Sequence, residues 1–138
     1  MTVKYLLDTD VISEPLKPKA NRGIMRHLER HQAELAISSI VWHELLVGCY
    51  RLPQSQKRIA IEKFLNAVVL PILPYDADAA KWHATERARL MNTGKTPPFL
   101  DGQIAAIACT RNLVLVTSNT PDFSHFDGLS LADWRTKT

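Results

Sequence analysis

The chain has 138 residues, 46% of them hydrophobic and 22% charged, a balance that suits one compact domain spanning residues 1–138. No segment is apolar over the length of a membrane span. The opening Met1-Thr2-Val3-Lys4-Tyr5-Leu6-Leu7-Asp8 ends its short apolar run on a carboxylate, unlike a signal peptide, so the expected compartment is the cytoplasm. The net charge of +3 accords with a polyanionic partner without demanding one.

Val3 to Leu7 reads as a short buried strand. Asp10 or Ser13 can cap a short helix behind it, and Pro15 and Pro18 then break the chain. Asn21 to His31 sets Ile24, Met25 and Leu28 among arginines, an amphipathic helix. Leu35-Ala36-Ile37 is a second strand. Ser38 and Ser39 are natural caps for a helix over Ile40 to Leu52, which Pro53 ends. A further helix runs from Gln56 to Ala67. Val68 to Leu73 is a third strand, Asp76 to Met91 a long helix, and Asn92-Thr93-Gly94 its stop. The loop Thr96-Pro97-Pro98 leads into a helix over Phe99 to Arg111. Leu113 to Val116 is a fourth strand and Leu129 to Leu131 a short fifth.

Alternating strands and helices predict an α/β fold, a three-layer α/β/α sandwich around a mainly parallel sheet. In such sheets ligands gather beyond the carboxyl ends of the strands. Asp8 follows the first strand, and Asn119 and Asp122 follow the fourth. Two helices carry acids beside their apolar stripes. Glu44 stands next to Val41, Leu45, Gly48 and Leu52, with Gly48 leaving room for another group. Asp101 shares a face with Ile104, Ala105 and Ala108 in the first turn of its helix, where the dipole favours negative charge. Each acid has a plain structural reading: a cap at Asp8, a dipole partner at Asp101, an arginine partner for Glu44, a turn beside Pro121 for Asp122. Crowded together, they need a compensating cation. Oxygen donors without Cys or His select Mg²⁺ or Mn²⁺.

The segments Leu6-Leu7-Asp8-Thr9-Asp10-Val11-Ile12-Ser13, Ser38 to Glu44 with Leu45 and Gly48, Asp101-Gly102-Gln103-Ile104-Ala105-Ala106, and Thr117-Ser118-Asn119-Thr120-Pro121-Asp122-Phe123 stand in one order. In that order the chain resembles the PIN-domain family, and within it the VapC-type toxins. The resemblance implies a parallel α/β/α sandwich, metal-dependent RNA cleavage, a homodimer and a cognate antitoxin. It maps Asp8, Glu44 and Asp101 onto the family's acids as Mg²⁺ ligands. Asn119 stands where many relatives carry aspartate, which leaves Asn119 or Asp122 for the fourth acidic position. Thr117 and Asn119 would orient water or phosphate. Asp10 reads first as a helix cap and second as a supporting acid.

Other readings stay open. Asp8-Thr9-Asp10-Val11 nearly fits the opening motif of haloacid-dehalogenase-like phosphatases, with Asp122 and Asp127 as a poor later pair. A non-catalytic metal- and RNA-binding module would carry the same acids. Gly94-Lys95-Thr96 lacks the first glycine of a phosphate-binding loop. His27 and His31 lie four apart on one helix and read as a solvated pair. Arg22, Arg26 and Arg30 form a basic stripe that reads as a solvated helix face. Trp42, Trp82 and Trp134 read as core or interface residues. Cys49 and Cys109 fit no metal-binding spacing and read as two buried thiols.

Overall fold

The computed structural model describes residues 2–136. Five strands form one parallel sheet: β1 (Tyr5–Leu7), β2 (Leu35–Ser38), β3 (Ile72–Leu73), β4 (Val114–Val116) and β5 (Ser130–Ala132), in the order β3-β2-β1-β4-β5. Tyr5 stands in register with Leu35 on one side and Val114 on the other. All four residues of β2 are buried, as are Leu6, Leu7, Leu115 and Val116. Strands covered by helices on both faces need such unbroken apolar runs.

Among the described residues the six α-helices are α1 (Thr9–Ile12), α2 (Arg22–Arg30), α3 (Ser39–Tyr50), α4 (Gln56–Asn66), α5 (Ala77–Asn92) and α6 (Phe99–Thr110). They complete the expected α/β/α sandwich. Asn21, Ser38, Ser55 and Asp76 cap α2 to α5 with side-chain oxygens, each accepting from a first-turn amide. Ile104 to Ala108 of α6 are buried one after another. Their alanines let α6 lie close against its neighbours. Gly102 serves the same end: a Cβ there would run into the imidazole of His83 on α5. Among the described residues no helix is long and apolar enough to cross a membrane.

Several expectations need correction. The third strand is only Ile72–Leu73. Pro71 has no amide to give a ladder, although its carbonyl accepts from Ile37 N at 3.0 Å, and Val69 is 90% exposed. The outer strand bounds shift by one or two residues because their ends lie beyond the pairing register. Neither Asp10 nor Ser13 N-caps α1; Ser13 is its C-cap, the hydroxyl donating to Thr9 O at 2.6 Å. Asp8 is the N-cap, accepting from Thr9 N at 2.8 Å. Gly48 faces open space, with nothing near a Cβ placed there, and the buried stripe of α3 is Val41, Leu45 and Cys49. Cys109 is only half-buried, its thiol 3.6 Å from the carbonyl of Gly128. His27 and His31 are not a solvated pair. Both stack on the buried Trp134 ring, with centroids 5.0 and 5.5 Å away. Trp134 arrives from beyond β5, a contact that α2 alone cannot reveal. The expected roles of Trp42 and Trp82, partly buried against the core, and of Trp134 agree with the structure.

Candidate active site

The strand order reverses direction between β1 and β4. At such a switch point the two chains leaving the sheet diverge and open a crevice at the carboxyl edge. Asp8 leaves β1 there and Thr117 leaves β4. The Asp8 amide donates to the carbonyl of Val116 at 2.9 Å, continuing the pairing one residue past β1. Side chains close the same junction: the buried Thr117 hydroxyl donates to Asp8 Oδ2 at 2.8 Å and accepts from Asn119 N at 3.0 Å. Asp8 Oδ1 is occupied by the helix-cap bond to Thr9 N.

The crevice is a cavity of about 300 Å³ whose walls include Asp8, Asp10, Glu44, Asp101, Asn119 and Asp122, with Ile104 and Phe123 as apolar floor. Residues from β1, α1, α3, α6 and the turn after β4 thus meet at one rim. Glu44 reaches it because Ser38 starts α3 directly at the end of β2. Asp101 reaches it from the first turn of α6, and Asp122 from the short 3-10 turn Thr120–Asp122. Asp8, Asp10, Glu44, Asp101 and Asp122 all line this one cavity. Thr117 lies just behind it.

Asp10 has a role that spacing did not disclose. Its Oδ2 accepts from Ser118 N at 3.1 Å and from Asn119 Nδ2 at 3.2 Å. It is a strut from α1 to the turn after β4. A polar residue in a helix, facing the sheet switch point, was the available signal.

The electrostatics record the crowding. Burial raises the Asp8 carboxyl above the ordinary range, and Asp122 adds to the rise while Thr117 and Thr9 oppose it. Burial and the charge of Asp8 push Asp10 up to about 6. Burial, then Asp8 and Asp122, push Asp101 up to about 6. Glu44 is raised by burial, then by Asp8 and Asp101. The Thr9 hydroxyl stands near enough to Glu44 to ease its charge but outside hydrogen-bonding geometry. Thr9 Oγ1 and Asp10 Oδ1 are therefore buried polar atoms without a protein partner. Buried like charges and orphaned oxygens are what a hard divalent cation would relieve. As the side chains stand, no three His, Cys, Asp or Glu residues among those described form a group that could hold such an ion. The donor chemistry fits; ligation would take rotation of carboxylates around the cavity wall.

The chain matches the PIN domain family over residues 5–129. It is 32% identical to the tRNA(fMet)-specific endonuclease VapC of Shigella flexneri over 133 residues, 96% of this chain and 98% of that protein. It is 33% identical to Toxin FitB of Neisseria gonorrhoeae, over 94% of this chain and 97% of that one. The solved structure of DNA-bound VapBC from Salmonella typhimurium superposes with a TM-score of 0.80 at 30% identity, covering 96% and 98% of the two chains. An acid-lined cavity at a parallel-sheet switch point thus sits in a chain that belongs to the PIN-domain family, among its VapC-type toxin ribonucleases.

Proposed function

We propose that this chain is a divalent-metal-dependent endoribonuclease, the toxin of a type II toxin–antitoxin pair. The observation that carries the reading is the convergence of Asp8, Glu44, Asp101 and Asp122 on one cavity, each from a different element, in a chain related to named VapC ribonucleases.

Asp8, Glu44 and Asp101 would hold Mg²⁺, with Mn²⁺ the alternative, and Asp122 would take the fourth acidic position. Held there, a hard divalent ion would acidify water for in-line attack on a phosphodiester and would offset the negative charge on the phosphoryl and leaving oxygens. The protein supplies the positioning. Thr117 fixes Asp8 by its hydroxyl. Asn119 is committed to Asp10 through Nδ2, which makes it a holder of the acidic wall rather than a fourth acid. Asp10 ties α1 to the chain leaving β4, so the two sides of the cavity move together. No side-chain nucleophile is needed.

The partners that go with this reading are an RNA substrate, a cognate antitoxin and a second copy of the chain, in the cytoplasm. The VapBC structure from Salmonella typhimurium is DNA bound, so DNA would be a ligand of the assembled toxin–antitoxin pair. The phosphatase alternative loses its second acid pair, because Asp127 is drawn to Arg89 at 3.4 Å and takes no part in the cavity wall.

The test is cleavage of total RNA by the wild type and by Asp8→Asn, each with Mg²⁺ and with chelator. Cleavage by the wild type in Mg²⁺ alone is expected. Equal cleavage by Asp8→Asn, or by the wild type in chelator, would refute the mechanism. RNA and metal binding without any cleavage would favour the non-catalytic module.

A further inference from the structure

Beyond β5 the chain does not wander. Residues 133–136 lie across the start of α2, held by contacts on both sides of one arginine. Trp134 is buried and packs against His27, His31 and Tyr5, with ring centroids 5.0, 5.5 and 5.0 Å away. Thr136 N donates to Asn21 Oδ1 at 2.9 Å, the oxygen that also caps α2. Gly23 lets the segment lie this close, since a Cβ there would collide with Thr136 and with the carbonyl of Trp134. Arg135 is thus fixed between two anchored neighbours. Its side chain stays 47% exposed.

The position so fixed lies at the sheet edge that carries the acidic cavity. β5 pairs with β4 in parallel, so the segment emerges at the carboxyl edge of the sheet. Ala132 O accepts from Thr117 N at 3.0 Å, and the following residue, Ser118, holds Asp10. The charges of Lys17 and Arg135 are both felt at Asp10. Lys17 is already tied to the buried Glu14 at 2.9 Å. Arg135 is paired in a fork with Asp133, Nε to Oδ1 at 3.1 Å and Nη2 to Oδ2 at 2.7 Å. Arg135 is 47% exposed against 16% for Asp133, so solvent reaches the guanidinium end of the pair, and a phosphate presents the same two-oxygen edge to guanidinium as a carboxylate does.

We propose that Arg135, anchored by Trp134 and Thr136 at the sheet edge that carries the acidic cavity, is a phosphate-binding residue for the RNA strand. It takes a backbone phosphate in exchange for Asp133, beside the phosphate being cleaved. The cavity acids repel RNA, and a fixed cation on the Asp10 side offsets that repulsion where the strand enters. The substrate class rests on the ribonuclease reading. The assignment predicts that binding falls without loss of the metal site.

The test is fluorescence anisotropy of a labelled single-stranded RNA oligonucleotide in Ca²⁺ at several salt concentrations, beside KM and kcat in Mg²⁺. Arg135→Gln should weaken binding at low salt and lower the slope of log Kd against log salt by about one. KM should rise severalfold with kcat and melting temperature kept. Arg135→Lys should recover the salt slope and only part of the affinity, having charge without the fork. Arg58→Gln, on α4, should change neither. Unchanged affinity and slope in Arg135→Gln would overturn the proposal, as would a wild type whose RNA binding does not depend on salt. Arg135-dependent binding by a wild type that cleaves nothing would sustain this assignment and sink the ribonuclease reading instead.

Discussion

Thr117 and Asp8 are 109 residues apart in the chain and joined by a 2.8 Å hydrogen bond across the β1–β4 junction. The hydroxyl is fully buried and also accepts the amide of Asn119. One side chain therefore orients the central carboxylate and shapes the turn that carries Asn119.

Thr117→Val keeps the shape and deletes both bonds. The Asn119 amide and one oxygen of Asp8 then lose their partner, a cost of about 1–3 kcal/mol. Asp8 loses one of the groups that hold its pKa down, so metal affinity should drop by roughly 10–100-fold, as for other groups that orient a ligand. Thr117→Ser should retain most of both. Denaturant melts and a Mg²⁺ titration of cleavage separate the two effects.

Gly102 and His83 form the second tight contact behind the site. Gly102→Ala drives a methyl group into a buried imidazole whose Nδ1 is already engaged by the Tyr75 hydroxyl at 3.0 Å. Overpacking of this kind costs about 1–3 kcal/mol, and the displaced first turn of α6 carries Asp101. Adding His83→Ala should restore part of the loss, a coupling that a double-mutant cycle reads out. Additive losses in the double variant would show that the two residues do not clash.

Much of this site could be read from the chain. Glu44 and Asp101 stood out as acids beside apolar stripes, and Asp8, Asn119 and Asp122 as residues at strand ends. What could not be read were the long-range pairings. Asp10 looked like a cap because caps are local, yet its partners are Ser118 and Asn119, more than a hundred positions on. His27 and His31 looked solvated because Trp134 is equally distant in sequence. Gly48 looked like a space-maker, and Gly102 is the glycine that makes space between α5 and α6. Which glycine is crowded depends on the packing of α5 against α6. The length of β3 was misjudged because apolar composition hid the missing amide of Pro71.

Protonation should compete with the metal. Asp10 and Asp101 have carboxyls raised to about 6, above the value near 4 expected of an unfolded aspartate. Without metal, these groups favour the folded state increasingly as pH falls from about 7 towards 4, because the folded form binds the extra protons. Buried His83, whose pKa is lowered by burial and by Arg87, pulls the other way below about 6.5. The rise in melting temperature produced by Mg²⁺ cancels such background. It should be full at pH 7.5 and fade as pH falls through 6. A Mg²⁺ shift of the same size at pH 5 and pH 7.5 would contradict the assignment.

Asn119→Asp sets a carboxylate where an amide now donates to Asp10 at 3.2 Å. Repulsion replaces the bond. The metal-free variant should melt below the wild type, and saturating Mg²⁺ should close part of the gap. An unchanged metal-free melting temperature would mean that the Asn119 amide does not hold Asp10.

The sharpest measurement is the melting temperature of the wild type and of Asp101→Asn, each with and without Mg²⁺. If buried acids are crowded here to hold a cation, neutralising one of them relieves repulsion. Metal-free Asp101→Asn should then melt above the wild type, and Mg²⁺ should raise the wild type well and the variant little. A variant that melts below the wild type and gains as much from Mg²⁺ would contradict the account.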